Sequence, residues 1–183
     1  MNTKLSMIKI AIIGPESTGK SVLCESLSEH YSGHIVKEYA RKYVEELGRA
    51  YTYDDVCAIA KQQIDEQIAI EKQSDVKFVF FDTELIITKV WFEYCYKKLP
   101  NFFEAAFAKP YFDLYLLCSP DLEWIPDAVR EHGHDRDYFF EWYKKEIINK
   151  NIAYAIVSGK GQSRTKCAID AINMFLETKK KLK

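Results

Sequence analysis

Apolar positions along the chain fall into short runs separated by stretches with a helical repeat. Ile8, Ile10, Ile12 and Ile13 read as a buried strand ending at Gly14. Val22, Leu23 and Leu27 then recur at helical spacing until "YSG" stops that helix at Gly33. Further strands are expected at 34–39 ("HIVKEY"), 77–82 ("KFVFFD"), 112–118 ("FDLYLLC") and 152–158 ("IAYAIVS"), each rich in β-branched or aromatic residues. Helical stretches separate them. The longest, about 53–74, has Thr52 placed to cap and Asp55 at the third position, and turns Val56, Ile64 and Ile68 inward. Strands alternating with helices predict a three-layer α/β/α fold around a five-stranded parallel sheet covered on both faces.

Ligands of such sheets gather at the carboxyl ends of the strands, which here carry Gly14, Glu38, Asp82, Ser119 and Ser158. Gly14 to Ser21 fits GxxxxGK[ST] between a strand and a helix, the context that makes the pattern a phosphate cradle, or P-loop. Gly14 and Gly19 let backbone N–H groups point inward, Lys20 reaches the outer phosphates and Ser21 can ligate Mg²⁺. The candidate nucleotide-binding residues are therefore Gly14, Pro15, Glu16, Ser17, Thr18, Gly19, Lys20, Ser21 and Val22. Glu16 is the odd member, because a carboxylate ~4 Å from a triphosphate is repelled by several kcal/mol at an effective dielectric of about 20. It must point away from the phosphates, toward an acceptor pocket or bulk water, or reach them only through a cation.

Asp82 closes the apolar run "FVFFD" as a Walker B carboxylate would, sharing the Mg²⁺ shell with Ser21; capping the next helix through "DTE" is the alternative. "VKEYAR" puts Glu38 at a strand end and Arg41 three residues on, where both can face one cleft. A carboxylate there can orient an acceptor hydroxyl and take its proton, while the guanidinium offers a fork of donors to phosphate; a surface ion pair is the plainer reading. The segment 120–137 gathers Asp127, Arg130 and Arg136 and has the composition of a short lid that brings arginines onto the transferring phosphate and excludes water. Lys20, Glu38, Asp82, Arg130 and Arg136 are the candidate catalytic residues. Glu16, Glu38, Tyr39, Arg41, Trp124 and Asp127 are the candidate acceptor contacts, with Tyr39 and Trp124 offered for stacking on a planar ligand. Trp91, Phe92 and Tyr94 are read as core. His132 and His134 lack the further ligands zinc needs, and are read as surface residues.

Composition narrows the partners. At 183 residues and 48% hydrophobic, the chain suits one core and is short for two, so 1–183 is read as one domain. With 26 basic against 27 acidic residues the net charge is −1, which supplies no field for nucleic acid or an anionic membrane. A small-molecule partner is expected. Five cysteines without CxxC spacing, mostly inside apolar patterns, read as reduced core residues. No apolar run approaches the ~18 residues of a membrane span and no secretory leader pattern is present, so a cytoplasmic location is expected. Ile152 in "NKNI", where NKxD needs aspartate, and Leu85 in "DTEL", where a DxxG switch needs glycine, argue against a guanine-specific GTPase.

"GPESTGKS", "EYARKYVEELG", "FFDTELIITKVW", "FDLYLLC" and "WIPDAVREHGHDR", in this order and spacing, resemble the ribosylnicotinamide kinase domain of the NadR proteins over roughly residues 8–160. The resemblance implies a P-loop nucleoside kinase that uses ATP and Mg²⁺ to phosphorylate the 5′-hydroxyl of nicotinamide riboside, giving the mononucleotide in NAD salvage. The family loop resembles "GGESSGKS", which turns Glu16 toward the acceptor side. Lys37 stands where the family often has Trp, and Ala128 where its lid often has Gly. "EHGH" has Glu131 where the [HT]xGH adenylyltransferase signature needs His or Thr, so a stand-alone kinase that stops at the mononucleotide is expected. A kinase for another nucleoside or small alcohol, and a non-catalytic ATP-binding regulatory module, are the alternatives.

Overall fold

The computed structural model describes residues 7–73, 75–127, 129–131 and 133–181. Along them five strands alternate with seven α-helices. Strand β1 (Ile8–Ile13) leads through the glycine loop into α1 (Lys20–Tyr31), followed by β2 (His34–Val36), α2 (Tyr39–Leu47), α3 (Tyr53–Glu71) and β3 (Phe78–Asp82). Helix α4 (Leu85–Trp91) runs on into a π-helical turn (Phe92–Tyr96). Then come α5 (Asn101–Phe107), β4 (Leu114–Cys118), α6 (Arg136–Asn149), β5 (Tyr154–Val157) and α7 (Gln162–Lys181).

All five strands are parallel, in the order β2-β3-β1-β4-β5, so β1 is central and Ile10 faces Phe80 on one side and Leu114 on the other. Alternation splits the sheet's side chains between two cores. Ile8, Ile10, Ile12, Phe80, Leu116 and Val157 pack under Leu23 and Leu27 of α1 and Ile172 of α7. Ala11, Ile13, Val79, Phe81, Tyr115 and Leu117 pack under α4 and α6 through Ile86, Val90, Phe139 and Ile147. A third cluster, Val56, Ala60, Leu85, Phe92 and Phe103, seats α3 and α5 against α4.

The strands are shorter than the sequence pattern suggests, because Tyr39 already belongs to α2 and Ile152 precedes β5. Thr52 and Asp55 do form a capping box at the start of α3. Two inward assignments are corrected: Ile68 of α3 is 49% exposed and Val22 of α1 is 68% exposed. Val22 sits in the first turn of α1 and lines the cavity beside the glycine loop, while Leu23 in the same turn faces the core. Ser32, not Gly33, takes the left-handed cap of α1 at φ 50, while a Cβ at Gly33 would lie 2.7 Å from the Phe80 ring. Cys24 and Cys118 are buried, whereas Cys95 is exposed and departs from the core reading. Among the described residues no helix is long and apolar enough to cross a membrane. Ala128 and His132 lie outside the described residues.

Candidate active site

The glycine loop is built by two constraints. Gly14 has φ 152, and a Cβ there would meet the Cys118 carbonyl oxygen at 2.7 Å, so β4 leaves no room for a side chain. Gly19 caps α1 in the left-handed conformation at φ 73. No side chain caps α1, so the first N–H groups of the helix are presented to the loop's concave side as an anion site. Lys20 Nζ donates to Gly14 O at 3.0 Å and Pro15 O at 2.9 Å, and Thr18 Oγ1 donates to Pro15 O at 2.8 Å. The loop thus holds its ammonium in place.

Asp82 ends β3 beside Ile12 of β1 and is buried. Its Oδ1 has no hydrogen-bond partner among the described residues. Burial pushes its carboxyl pKa up, against the Ser21 hydroxyl and the Lys20 ammonium, which favour the charged form. The capping role open to "DTE" falls to Glu84, whose carboxylate accepts from Ile86 N at 2.8 Å. Asp82 is left with a bare, buried oxygen beside Ser21, a donor set suited to a hard divalent cation.

Glu38 sits at the N-cap position of α2 without capping it, its side chain 24% exposed and 3.8 Å from Arg41 Nε. Burial raises its pKa, Lys20 pulls it down, Asp82 pushes it up, and Arg41 and Arg130 pull it down again. Lys20, Asp82, Arg41 and Arg130 therefore all act electrostatically on one carboxylate. Asp127 ties two of the cations together, at 3.1 Å from Arg41 Nη1 and 2.9 Å from Arg130 Nε.

A cavity of about 340 Å³ joins these groups. Residues 14–22, Glu38, Arg41 and Arg130 line one half; Tyr51, Ile87, Trp91, Tyr94, Glu131 and Tyr143 line the other. Tyr39, Asp82, Trp124, Asp127 and Arg136 are not among the lining residues. Tyr39 and Trp124, the residues offered for stacking, make contacts elsewhere in this structure. Tyr39 packs on the Tyr43 ring at 5.9 Å. Trp124 is spent on the protein itself: its ring covers Gly133 and its Nε1 donates to Glu16 Oε2 at 3.3 Å. Arg136 donates to Leu122 O at 2.8 Å within its own segment.

Glu16 faces away from the glycine loop's amides, accepting from Trp124 Nε1 and, at 3.0 Å, from Glu131 N. Ser17 and Ile125 exchange two hydrogen bonds, Oγ to O at 3.3 Å and N to Oγ at 3.1 Å. The β4–α6 connection is thereby docked on the glycine loop. Trp91 and Tyr94, read as core, face the cavity because they lie one turn apart where α4 passes into the π turn. Their common face with Ile87 was the available signal. Tyr143 was missed: it is buried on α6, and Glu16 and Glu38 add to the burial that raises its phenol pKa.

A glycine loop and an acidic strand end at the centre of a parallel sheet with this order define a P-loop kinase fold. The AAA domain family matches residues 9–164, and the chain belongs to that family. It is 28% identical over 157 residues to the trifunctional NAD biosynthesis/regulator proteins NadR of Salmonella typhimurium and Escherichia coli. The match takes in 81% of this chain and 37% of those relatives, so the chain spans little over a third of their length. Among solved structures, a NadR protein in complex with NR superposes with a TM-score of 0.78 at 24% identity, over 92% of this chain and 51% of that one. Deoxyadenosine kinase from M. mycoides gives 0.58 at 12% identity, over 91% and 100%.

Proposed function

We propose that the protein is an ATP- and Mg²⁺-dependent kinase that phosphorylates the 5′-hydroxyl of a nucleoside, with nicotinamide riboside as the acceptor. The observation that carries this reading is the shared cavity, in which a phosphate loop opens directly onto a chamber walled by carboxylates and aromatic rings. Such a chamber suits a sugar with several hydroxyls and a flat, electron-poor base. The similarity to NadR supplies the particular acceptor.

The chemistry follows from the placement of the groups. The acceptor oxygen forms a bond to the γ-phosphorus as the bond to the β–γ bridging oxygen breaks, and ADP leaves with that electron pair. Glu38, held between Lys20, Arg41 and Arg130, receives the hydroxyl proton. Lys20 exchanges its carbonyl partners for phosphate oxygens, and Arg41 and Arg130, aligned by Asp127, meet charge developing on the transferred group. Ser21 and the open Oδ1 of Asp82 would hold Mg²⁺, which neutralises charge on the β- and γ-phosphoryl oxygens. The β4–α6 connection excludes water as a competing acceptor.

The test is ADP release across a panel of nucleosides, with the phosphorylated product identified by mass. Nicotinamide riboside is expected to give the highest kcat/KM. ADP formation that ignores every nucleoside would replace this reading with a regulatory ATP-binding module, and a preference for a deoxynucleoside would move the acceptor.

A further inference from the structure

The acceptor half of the cavity contains a contact that phosphate binding does not need. Tyr51 lies in the short turn between α2 and α3, and its hydroxyl donates to Glu131 Oε2 at 2.9 Å. Its ring stands edge-on to Trp91, with centroids 4.8 Å apart and planes at 82°. All three side chains line the cavity. The turn that carries Tyr51 is itself rigidly fixed: Asp55 accepts from both Nη atoms of Arg49 at 2.7 and 2.9 Å, from Thr52 N at 2.7 Å and from the Tyr43 hydroxyl at 3.0 Å. Glu131 is held from the opposite side, where its main-chain N–H reaches Glu16 of the glycine loop. One residue of the β4–α6 connection therefore joins the phosphate side of the cavity to its aromatic wall.

We infer that Tyr51 is a positioning residue, a clasp that acts through Glu131 to hold the β4–α6 connection over the acceptor chamber and to keep the Trp91 ring square to the bound acceptor. The assignment rests on the kinase reading for what enters the chamber, but not for the clasp itself. The connection is held at several points, among them Asp127 to Arg41 of α2 and Asp121 to Arg164 and Gly159, and two of its anchors flank the cavity. Glu16 and Ser17 fix it to the nucleotide side, and Tyr51 fixes it to the acceptor side. Loss of the second alone leaves the nucleotide half intact while the acceptor half opens to water.

Tyr51→Phe removes the hydroxyl and keeps the ring against Trp91. In the full chain without ligands, deuterium uptake by peptides from 122–135 should be about tenfold faster than in the parent, the scale of one lost hydrogen bond to a charged group. The nucleoside KM should rise by about the same factor with the KM for ATP within roughly twofold, and ADP should exceed phosphorylated nucleoside. In the same uptake measurement Glu131→Gln, whose amide oxygen still accepts from the Tyr51 hydroxyl, should lie between the parent and Glu131→Ala, and Glu131→Ala should resemble Tyr51→Phe. A residue that only stabilises the fold would lower the melting temperature without separating the two KM values. Equal uptake in parent and Tyr51→Phe overturns the clasp, as does faster uptake with an unchanged nucleoside KM. A parent chain that releases no ADP in response to any nucleoside overturns the kinase reading instead, and the uptake comparison still decides the clasp.

Discussion

Arg164 is buried at 4% exposure and joins the ends of β4 and β5. Its Nε donates to Gly159 O at 2.9 Å, Nη1 to Val157 O at 3.0 Å and Nη2 to Ser119 O at 3.3 Å, and Nη2 also pairs with Asp121 Oδ1. Asp121 in turn accepts from Gly159 N at 2.7 Å. Arg164→Ala removes the guanidinium donor from the part-buried carbonyls of Gly159 and Ser119, leaves Val157 O with Ser119 N alone, and leaves the Asp121 carboxylate without its cation. Breaking a buried ion pair costs about 3–5 kcal/mol, and because the Asp121 side chain is 36% exposed and can rehydrate, the lower end, about 3 kcal/mol, is expected. For a chain of this size that corresponds to a fall of about 6–12 °C in Tm. Thermal unfolding followed by circular dichroism measures it, and denaturant titration should show a lower midpoint at an unchanged slope. Arg164→Lys keeps the charge but not the fork and should lie between. A Tm within 2 °C or so of the parent would refute the reasoning, since it would mean that water already satisfies these carbonyls in the folded protein.

Glu38→Gln should lower kcat by about 10²–10³ with ATP affinity, measured by calorimetry, nearly unchanged. Only the ionised Glu38 accepts a proton, and its pKa is raised, so parental kcat/KM should fall as pH drops through a limb above the ordinary carboxylate range. That limb should vanish in the variant. Glu84 is fully buried and its carboxyl is pushed from 4.5 up to about 7. The folded protein therefore keeps a proton the unfolded chain gives up, and this contribution is lost as pH rises from about 5 to 8. Relative to the parent, Glu84→Gln should gain roughly 2–3 kcal/mol across that window in denaturant titrations; a pH-independent difference would contradict it. Glu16→Gln turns an amide N–H₂ or a single acceptor toward two donors, Trp124 Nε1 and Glu131 N. Steady-state kinetics should show a nucleoside KM about tenfold higher with little change for ATP, and the reverse pattern would place Glu16 on the metal side.

What the sequence disclosed and what it hid divide along physical lines. The central strand, the glycine loop and the Thr52–Asp55 capping box were legible because each is decided within about ten residues by periodicity, φ preference or a local hydrogen bond. Val22 and Ile68 carry the right spacing and the wrong surroundings: both side chains are exposed, although Leu23 beside Val22 is buried. Trp91 and Tyr94 looked like core because their shared helical face with Ile87 does not tell a face that meets packed side chains from one that meets a cavity. The arginines of 120–137 were visible as residues, but their present partners are carbonyls and a carboxylate of the same segment. Tyr51 and Glu131 lie 80 positions apart, and no local pattern links them.

The way the β4–α6 connection is fastened bears on how this protein can change. Ser17 grips the main chain of Ile125, Glu16 the N–H of Glu131, Arg130 the carbonyl of Ile125 and Arg136 the carbonyl of Leu122. Main-chain atoms are the same whatever side chain the position carries. Much of the segment's docking therefore rests on main-chain atoms, while Asp121, Trp124, Asp127 and Glu131 hold it through their side chains. Positions 125 and 129 can drift, or be exchanged wholesale in a library, without casting the segment off the glycine loop. On the kinase reading, acceptor preference and nucleotide handling could then evolve on separate residues of this stretch.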